Sequence, residues 1–312
     1  MKNQLTSPNG APASALCFGT MQFGGSADED ASRGMYDACR SAGINFFDTA
    51  HVYNYGKSEE FLGKFAAPER DDLIIATKAG YVGGGSRENI LTTFAESQQR
   101  LGLDMVDMLY MHRWDYRVPL EETFETLAEL KQAGKIRYIG VSNYAAWQVV
   151  KAICVAEKLG VTVDILQPMY NLVKRQAEVE ILPMCRSEGV HVAPYSPLGG
   201  GLLTGKYAGG VENGRLAEDK RYRARYNVDW MHEAAATLPK IAAEHGTSAT
   251  TLAVAWVAKH PTITAPIISA RSTEQLQPSL AAMEFEMSDA LYEELTALTP
   301  TPAPATDRLE EA

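Results

Sequence analysis

Short apolar runs alternate with helix-period stretches along almost the whole chain, and that rhythm restricts the fold more than any single residue does. A run of roughly four to eight apolar residues closed by turn residues fits a strand buried on both faces. Such strands separated by helical patterns pair in parallel, each helix crossing back over the sheet. Strands are expected at 15–20, 44–48, 73–78, 106–111, 136–142, 163–167, 190–195 and 264–269. Helices are expected at 28–41, from Ser58 onward, and at 86–101, 120–133, 145–159, 178–187, 231–245, 248–260, 273–283 and 288–298.

Local signals support several of these boundaries. Asp28 is a good N-cap, and Gly134, Gly160 and Gly189 stand where a helix ends in a left-handed residue. Ser86 with Asn89 is a weak capping pair, so that helix rests on the period of Ile90, Leu91, Phe94 and Leu101. Eight strand–helix units without a break in composition give an α/β fold, a single-domain (β/α)8 TIM barrel over 15–299. Residues 1–14 form an N-terminal segment before it, and the proline- and charge-rich 300–312 are expected to be a disordered tail. The segment 196–229, after the seventh strand, shows no period and reads as a long functional loop. The rival architecture is a doubly wound open sheet, but the G-x-G-x-x-G turn that usually marks it is missing.

Charge and composition narrow the function. The 312 residues carry a net charge of −10 and no basic stripe that would track a phosphate backbone, so nucleic acid is not an expected partner. No run approaches the roughly 18 apolar residues of a membrane span, and 1–14 lack the apolar core of a signal peptide. A soluble, cytoplasmic protein is expected. Cys17, Cys39, Cys154 and Cys185 are scattered with no C-x-x-C pair, which gives neither a metal site nor a disulfide framework.

The chemistry gathers around residues 43–63. Asp48 ends the second expected strand, Lys78 the third, and His112 follows the fourth, while Tyr53 sits in the loop after Asp48. In a barrel these strands are neighbours, so the side chains converge on the carboxyl rim where barrels carry their sites. The set suits one task. Hydride addition to a carbonyl leaves an alkoxide that needs a proton from a positioned acid. A tyrosine titrates near pKa ~10, and a neighbouring ammonium lowers that value. Lys78 is placed to act in this way, Asp48 to keep Lys78 charged, and His112 to hydrogen-bond the substrate oxygen.

Each residue also has an ordinary structural explanation. Asp48 before Thr49 suits a turn, Tyr53 suits loop packing, Lys78 a solvated strand end, and His112 a satisfied polar group. Four reactive types falling together on three consecutive strand ends outweigh those explanations.

Taken with these, N-F-F-D-T-A-x-x-Y, I-A-T-K, Y-M-H-R, G-V-S-N and Y-S-P-L-G-G-G-L-L-T-G-K stand in an order that resembles the aldo-keto reductase family. The resemblance covers nearly the whole chain and is closer to the bacterial reductases and potassium-channel β subunits than to aldose reductase. It implies a barrel that uses NADP(H) to reduce a small-molecule carbonyl substrate, with Tyr53 as general acid beside Lys78, Asp48 and His112. It further implies that Ser142, Asn143 and Gln167 hold the nicotinamide carboxamide and that Tyr195 stacks on its ring. Gly19, Thr20, Met21 and Asp48 would also meet the cofactor. The segment with Ser196, Pro197, Leu198, Gly200, Leu202, Gly205 and Lys206 would wrap the pyrophosphate. Ser269, Arg271, Gln275 and Ser279 match the adenosine-phosphate segment, with Arg271 as clamp for a 2′-phosphate. Ser269 replaces a common glycine there, and Ser279 a frequent asparagine.

Three alternatives come from the same residues. A cofactor-binding sensor or auxiliary subunit would keep the site with incidental turnover. A Schiff-base aldolase would use Lys78 as nucleophile. Gly200 to Lys206 also spells the start of a phosphate loop, but Tyr207 stands where magnesium needs a hydroxyl, which excludes an NTPase. The basic-aromatic run Lys220-Arg221-Tyr222-Arg223-Ala224-Arg225-Tyr226 reads as a solvated charge run, or else as a lid gathering an anionic group. Tyr55, Trp114 and Tyr116 follow the reactive residues closely and are candidates for the substrate pocket or for rim packing.

Overall fold

The computed structural model describes residues 4–207, 214–308 and 310. Eight parallel strands make up one sheet: β1 (Cys17–Gly19), β2 (Phe46–Asp48), β3 (Ile74–Ala79), β4 (Val106–Met111), β5 (Ile136–Ser142), β6 (Ile165–Gln167), β7 (His191–Val192) and β8 (Ile267–Ile268). Their spatial order is β7-β6-β5-β4-β3-β2-β1-β8. The Ile267 amide donates to the Pro194 carbonyl at 2.8 Å and the Ala265 amide to Val192 at 3.3 Å, so the last strand returns to the seventh and the sheet closes on itself. The fold is the expected single (β/α)8 barrel.

The helices are α1 (Glu29–Ser41), α2 (Lys57–Ala66), α3 (Arg87–Leu101), α4 (Leu120–Gln132), α5 (Ala146–Lys158), α6 (Ile181–Glu188), α7 (Arg215–Glu218), α8 (Lys220–Tyr226), α9 (Asp229–Glu244), α10 (Ala249–Lys259), α11 (Thr273–Leu280) and α12 (Asp289–Ala297). Their caps follow from the residues. The Asp28 carboxylate accepts the Ala31 amide at 2.9 Å, and Ser86 accepts the Asn89 amide at 3.4 Å. Gly134 and Gly189 take the left-handed conformation past α4 and α6.

Two differences from the expected pattern have local causes. β1, β2, β6, β7 and β8 are shorter than the apolar runs that contain them. Pro194 and Pro266 have no amide hydrogen to continue a ladder. At the start of β2 the ladder gives way to side chains, with Ser14 donating its amide to the Asn45 side chain at 2.8 Å and accepting the Asn45 amide on its hydroxyl at 3.1 Å. The second difference is in 196–229, which is largely ordered rather than irregular. Gly199–Thr204 forms 3₁₀ turns and α7 and α8 follow, while residues 208–213 lie outside the described ones. Asp219 caps α8 on the Arg221 amide at 2.8 Å, and Tyr226 at its end is fully buried. The dense charge hid the Tyr222/Tyr226 spacing that turns this helix inward.

The apolar residues form two bodies. One fills the barrel, with Cys17, Phe46, Ile74, Met108 and Ile165 packed around Leu5. The other lies between strands and helices, around Phe18, Phe47, Ile75, Leu109 and Val141. Alternate residues of one strand, such as Phe46 and Phe47, therefore serve opposite faces. Leu5 comes from the N-terminal segment, where Thr6 pairs with Pro12 and its amide donates to the Tyr138 hydroxyl at 3.0 Å. This segment plugs the amino end of the barrel. No helix among the described residues is long and apolar enough to cross a membrane.

Candidate active site

Strand register brings the reactive residues to one rim. Gly19 lies opposite Asp48, Asp48 opposite Ala76, Lys78 opposite Tyr110, and Ser142 opposite Gln167. Lys78 is 1% exposed and Asp48 3%, so neither charge is sustainable without its partner. The Lys78 ammonium donates to Asp48 Oδ2 at 2.5 Å and to the Thr49 carbonyl at 2.6 Å. Burial is the largest single effect and works against the ammonium, but the charge and hydrogen bond of Asp48, with smaller contributions from Tyr53 and Cys17, together leave the Lys78 pKa above its ordinary value. Gln167 reaches across the barrel from β6 and donates to Asp48 Oδ1 at 2.9 Å.

Tyr53 sits over this pair. Its ring centroid is 5.1 Å from Lys78 Nζ and 6.0 Å from the His112 ring, which meets it edge-on. Burial raises the Tyr53 pKa above its usual value, and the Lys78 ammonium counters by charge and hydrogen bonding without reversing the shift. The expected downward shift is corrected accordingly. Lys78 pulls in the anticipated direction, and desolvation of the phenol is the larger effect. His112 is displaced the other way, to about 3, by burial and then by the charges of Lys78 and Arg113. It is therefore a neutral imidazole across the physiological range. Its Nδ1 is buried and has no hydrogen-bond partner among the described residues.

The loop carrying Tyr53 is strained and strapped down. Asn54 and Tyr55 have φ of 47° and 56°, a region unfavourable to residues with a side chain. Asn54 offsets the strain by donating to the Met21 and Phe23 carbonyls at 2.7 and 2.8 Å. From the other side, Arg100 of α3 donates to the His51 carbonyl at 3.0 Å and to Glu59 Oε2 at 3.3 Å. Gly56 has φ of 91° and leaves room for that guanidinium, since a Cβ there would lie 2.6 Å from Arg100 Nε. Glu59 is fully buried in the first turn of α2 and also accepts from Thr77 Oγ1 at 2.6 Å, one residue before Lys78. Nothing in the sequence marks Glu59, Thr77 and Arg100 as a unit, because pairs 18 and 41 residues apart carry no local signature.

A second polar cluster adjoins the first. Asn143, at φ 59°, donates to the His112 carbonyl at 3.0 Å and to Ser142 Oγ at 3.1 Å. Ser142 donates to the Gln167 carbonyl at 3.0 Å, and the Tyr195 hydroxyl donates to Asn143 Oδ1 at 2.7 Å. The four residues expected around a nicotinamide are thus brought together beside His112. Thr20 is fully buried, hydrogen-bonded to the Asp48 carbonyl at 3.2 Å, and Met21 is 37% exposed at the rim.

Beyond Ser196, whose φ is 61°, the turns through Pro197, Leu198, Gly200 and Gly205 lie between β7 and α8. Gly200 has φ of 67°, and a Cβ there would meet the Tyr222 ring at 2.6 Å. Leu202 is buried, while Lys206 is exposed with Nζ 4.8 Å from the Tyr207 ring. Ser269, Arg271 and Gln275 are exposed, and Arg271 forms no ion pair among the described residues. Ser279 stands apart, because at 1% exposure it presents almost no surface to a ligand. In α8, Arg221 is paired with Asp219 at 3.0 Å, and Arg225 lies 5.3 Å from the Tyr222 ring.

Comparison with known proteins identifies the family. A family model described as "Aldo/keto reductase family" matches residues 15–300. The "Uncharacterized oxidoreductase YrpG" of Bacillus subtilis (strain 168) is 34% identical over 317 residues, covering 94% of each chain. A "Probable voltage-gated potassium channel subunit beta" of Oryza sativa subsp. japonica is 35% identical over 296 residues, covering 88% of this chain and 89% of that one. "Aflatoxin B1 aldehyde reductase member 2" of Rattus norvegicus is 34% identical over 300 residues, covering 88% and 82%.

Proposed function

The chain belongs to the aldo/keto reductase family of oxidoreductases, and on that premise we propose that it reversibly reduces an aldehyde or ketone with NADP(H), Tyr53 giving the proton. The observation that carries this reading is the buried Lys78–Asp48 pair lying under Tyr53 and beside a neutral His112. Bound NADPH supplies the hydride. The chain does the rest. The substrate oxygen sits between the Tyr53 hydroxyl and an N–H of the His112 ring, both uncharged at neutral pH. As negative charge develops on that oxygen, the Tyr53 proton moves to it. The Lys78 ammonium stabilises the tyrosinate left behind, and Asp48 keeps that ammonium charged and fixed. Because burial raises the Tyr53 pKa, the protonated form that reduction needs is present at neutral pH, and the reverse oxidation, which needs the phenolate, gains rate in a more alkaline medium.

The donor set fits a nicotinamide dinucleotide. Ser142, Asn143 and Gln167 supply hydroxyl and amide groups for a carboxamide, and Tyr195 a flat apolar support. Gly19, Thr20 and Met21 border the same end of the barrel. Backbone amides of the turns between Ser196 and Lys206 suit a pyrophosphate, and the exposed Arg271 with Ser269 and Gln275 suits a 2′-phosphate. The burial of Ser279 argues against a direct contact from it.

Likeness to a protein named as a channel β subunit favours one second reading, a cofactor-binding sensor with incidental turnover. A Schiff-base aldolase is disfavoured, because Lys78 is held charged by Asp48 and a nucleophilic amine must be neutral. Four free cysteines, three of them buried, suit the reducing cytoplasm. Consumption of NADPH and of NADH over a panel of aldehydes and ketones tests the reading. Turnover with preference for NADPH is expected. Saturable NADPH binding without turnover moves the sensor reading ahead.

A further inference from the structure

The chain as a whole is acidic, yet the residue that follows His112 is a cation without a counter-ion. Arg113 is exposed and forms no ion pair or hydrogen bond among the described residues. An exposed arginine by itself needs no explanation, but this one is held in a particular place. Its guanidinium carbon lies 4.9 Å from the centre of the Tyr81 ring, a cation–π contact. The Tyr81 ring lies 4.9 Å from the His112 ring, centre to centre. Guanidinium, phenol and imidazole thus form one row that ends on a reactive group. The charge of Arg113 reaches that imidazole, where it is one cause of the lowered pKa.

The support under Arg113 is fixed by its own loop. Asn89 of α3 donates its side-chain amide to the Val82 and Gly84 carbonyls at 3.0 and 2.7 Å, and the Gly85 amide donates to Asp115 Oδ2 at 3.0 Å. Asp115, two residues past Arg113, is the nearest carboxylate in the chain, and it is committed elsewhere. Its Oδ1 accepts the Arg117 amide at 2.9 Å and Arg117 Nε at 3.0 Å. Arg221 of α8 interacts by charge with the Tyr81 phenol, but it is paired with Asp219 at 3.0 Å. Arg113 is therefore left unmatched at this edge of the site, and a site held in place before a ligand arrives loses less entropy on binding. The cofactor phosphates are not its partner. The residues assigned to them above follow β7 and β8, whereas Arg113 follows β4, four strands from β8 and across the closed sheet from it.

We propose that the preferred substrates are short-chain aldehydes carrying a carboxylate a few bonds from the carbonyl, with the carbonyl oxygen at Tyr53 and His112 and the carboxylate on Arg113. This rests on the proposed carbonyl reduction and adds the substrate class. A carboxylate meets the edge of a guanidinium through two parallel N–H bonds. Its single charge also matches the single unmatched cation, whereas a phosphate ester carries about two charges at neutral pH.

The test compares kcat/KM for 4-oxobutanoate and for its uncharged methyl ester with NADPH, in the full chain and in the Arg113→Met and Arg113→Lys variants. The side chain is exposed and without hydrogen bonds, so both variants are expected to fold. Any effect on His112 or Tyr81 that is common to both aldehydes cancels in their ratio. The wild type is expected to favour the acid by about tenfold or more, chiefly through KM. Arg113→Met should lose most of that ratio and Arg113→Lys keep part of it. Added NaCl should shrink the ratio in the wild type and leave it unmoved in Arg113→Met. Calorimetric titration of the NADP+ complex with 4-hydroxybutanoate is expected to give a Kd about tenfold weaker in Arg113→Met. Equal efficiency with acid and ester in the wild type overturns the substrate class while leaving carbonyl reduction intact. So does a fall in Arg113→Met that is the same for both, which would assign Arg113 to the electrostatics of His112. Failure to reduce either aldehyde, with NADPH bound, removes the underlying activity and this inference together.

Discussion

Gln167 Nε2 lies 2.9 Å from Asp48 Oδ1, a bond that joins β6 to β2 across the mouth of the barrel. The other Asp48 oxygen is taken by Lys78, so both oxygens of one buried carboxylate are committed. A group expected to hold the cofactor is thereby coupled to the pair that tunes the proton donor.

Asp48→Asn is the sharpest probe of that coupling. It leaves the Lys78 ammonium buried without a counter-charge, which typically costs about 3–5 kcal/mol. Urea unfolding is expected to show a loss of that order, and kcat to fall at least about a hundredfold as the ammonium drifts or deprotonates. Wild-type stability in the variant would mean that the pair is not the charged pair described.

The pH profile follows from the shifts at Tyr53 and His112. The Tyr53 pKa is raised by burial, so the protonated donor persists through neutrality and is lost only above the ordinary tyrosine value of about 10. Reduction is expected to be flat in kcat/KM across neutral pH with an alkaline limb. His112 has its folded pKa lowered to about 3, so the unfolded chain takes up a proton near pH ~6.5 before the folded one does. Its contribution to stability is present above that pH and declines as pH falls through the window, by up to about 1.4 kcal/mol per pH unit. Replacing His112 with Gln should flatten this part of the acid unfolding curve.

Much of this was legible in the residues. The period and the glycine stops announce the alternating units, and β4 and β5 occupy the runs that suggested them. Asp48, Lys78 and His112 stood out because a polar residue closing a buried apolar run is costly without a purpose. Other features depend on distance in space. The Arg100–Glu59 strap joins two helices, the net shift at Tyr53 turns on how much water reaches it, and the burial of Ser279 depends on how α11 packs. The inward turn of α8 was hidden by its own charge.

Arg100→Met tests the strap on the Tyr53 loop. It leaves the Glu59 carboxylate with Thr77 alone and frees the His51 carbonyl, with a loss of about 2 kcal/mol expected. It should lower kcat more than it raises KM for substrate, because the loop that aims Tyr53 is loosened. Arg100→Lys should recover part of both. An equal loss in the two variants would assign Arg100 to packing only.

Arg271→Ala addresses the 2′-phosphate. With an exposed guanidinium that has no ion pair among the described residues, its removal is expected to lower the NADPH-to-NADH ratio of kcat/KM by about tenfold or more. A ratio that does not move would place cofactor selection elsewhere.

Tyr53→Phe bears most directly on the whole account. The ring stays, the hydroxyl goes, and the Lys78–Asp48 pair beneath it is untouched. NADPH consumption over a carbonyl panel, with cofactor affinity followed by fluorescence on the same samples, is the decisive measurement. The account predicts binding close to that of the wild type and turnover lower by at least about a hundredfold. Turnover that survives with binding intact would contradict it, since the proton would then come from another group.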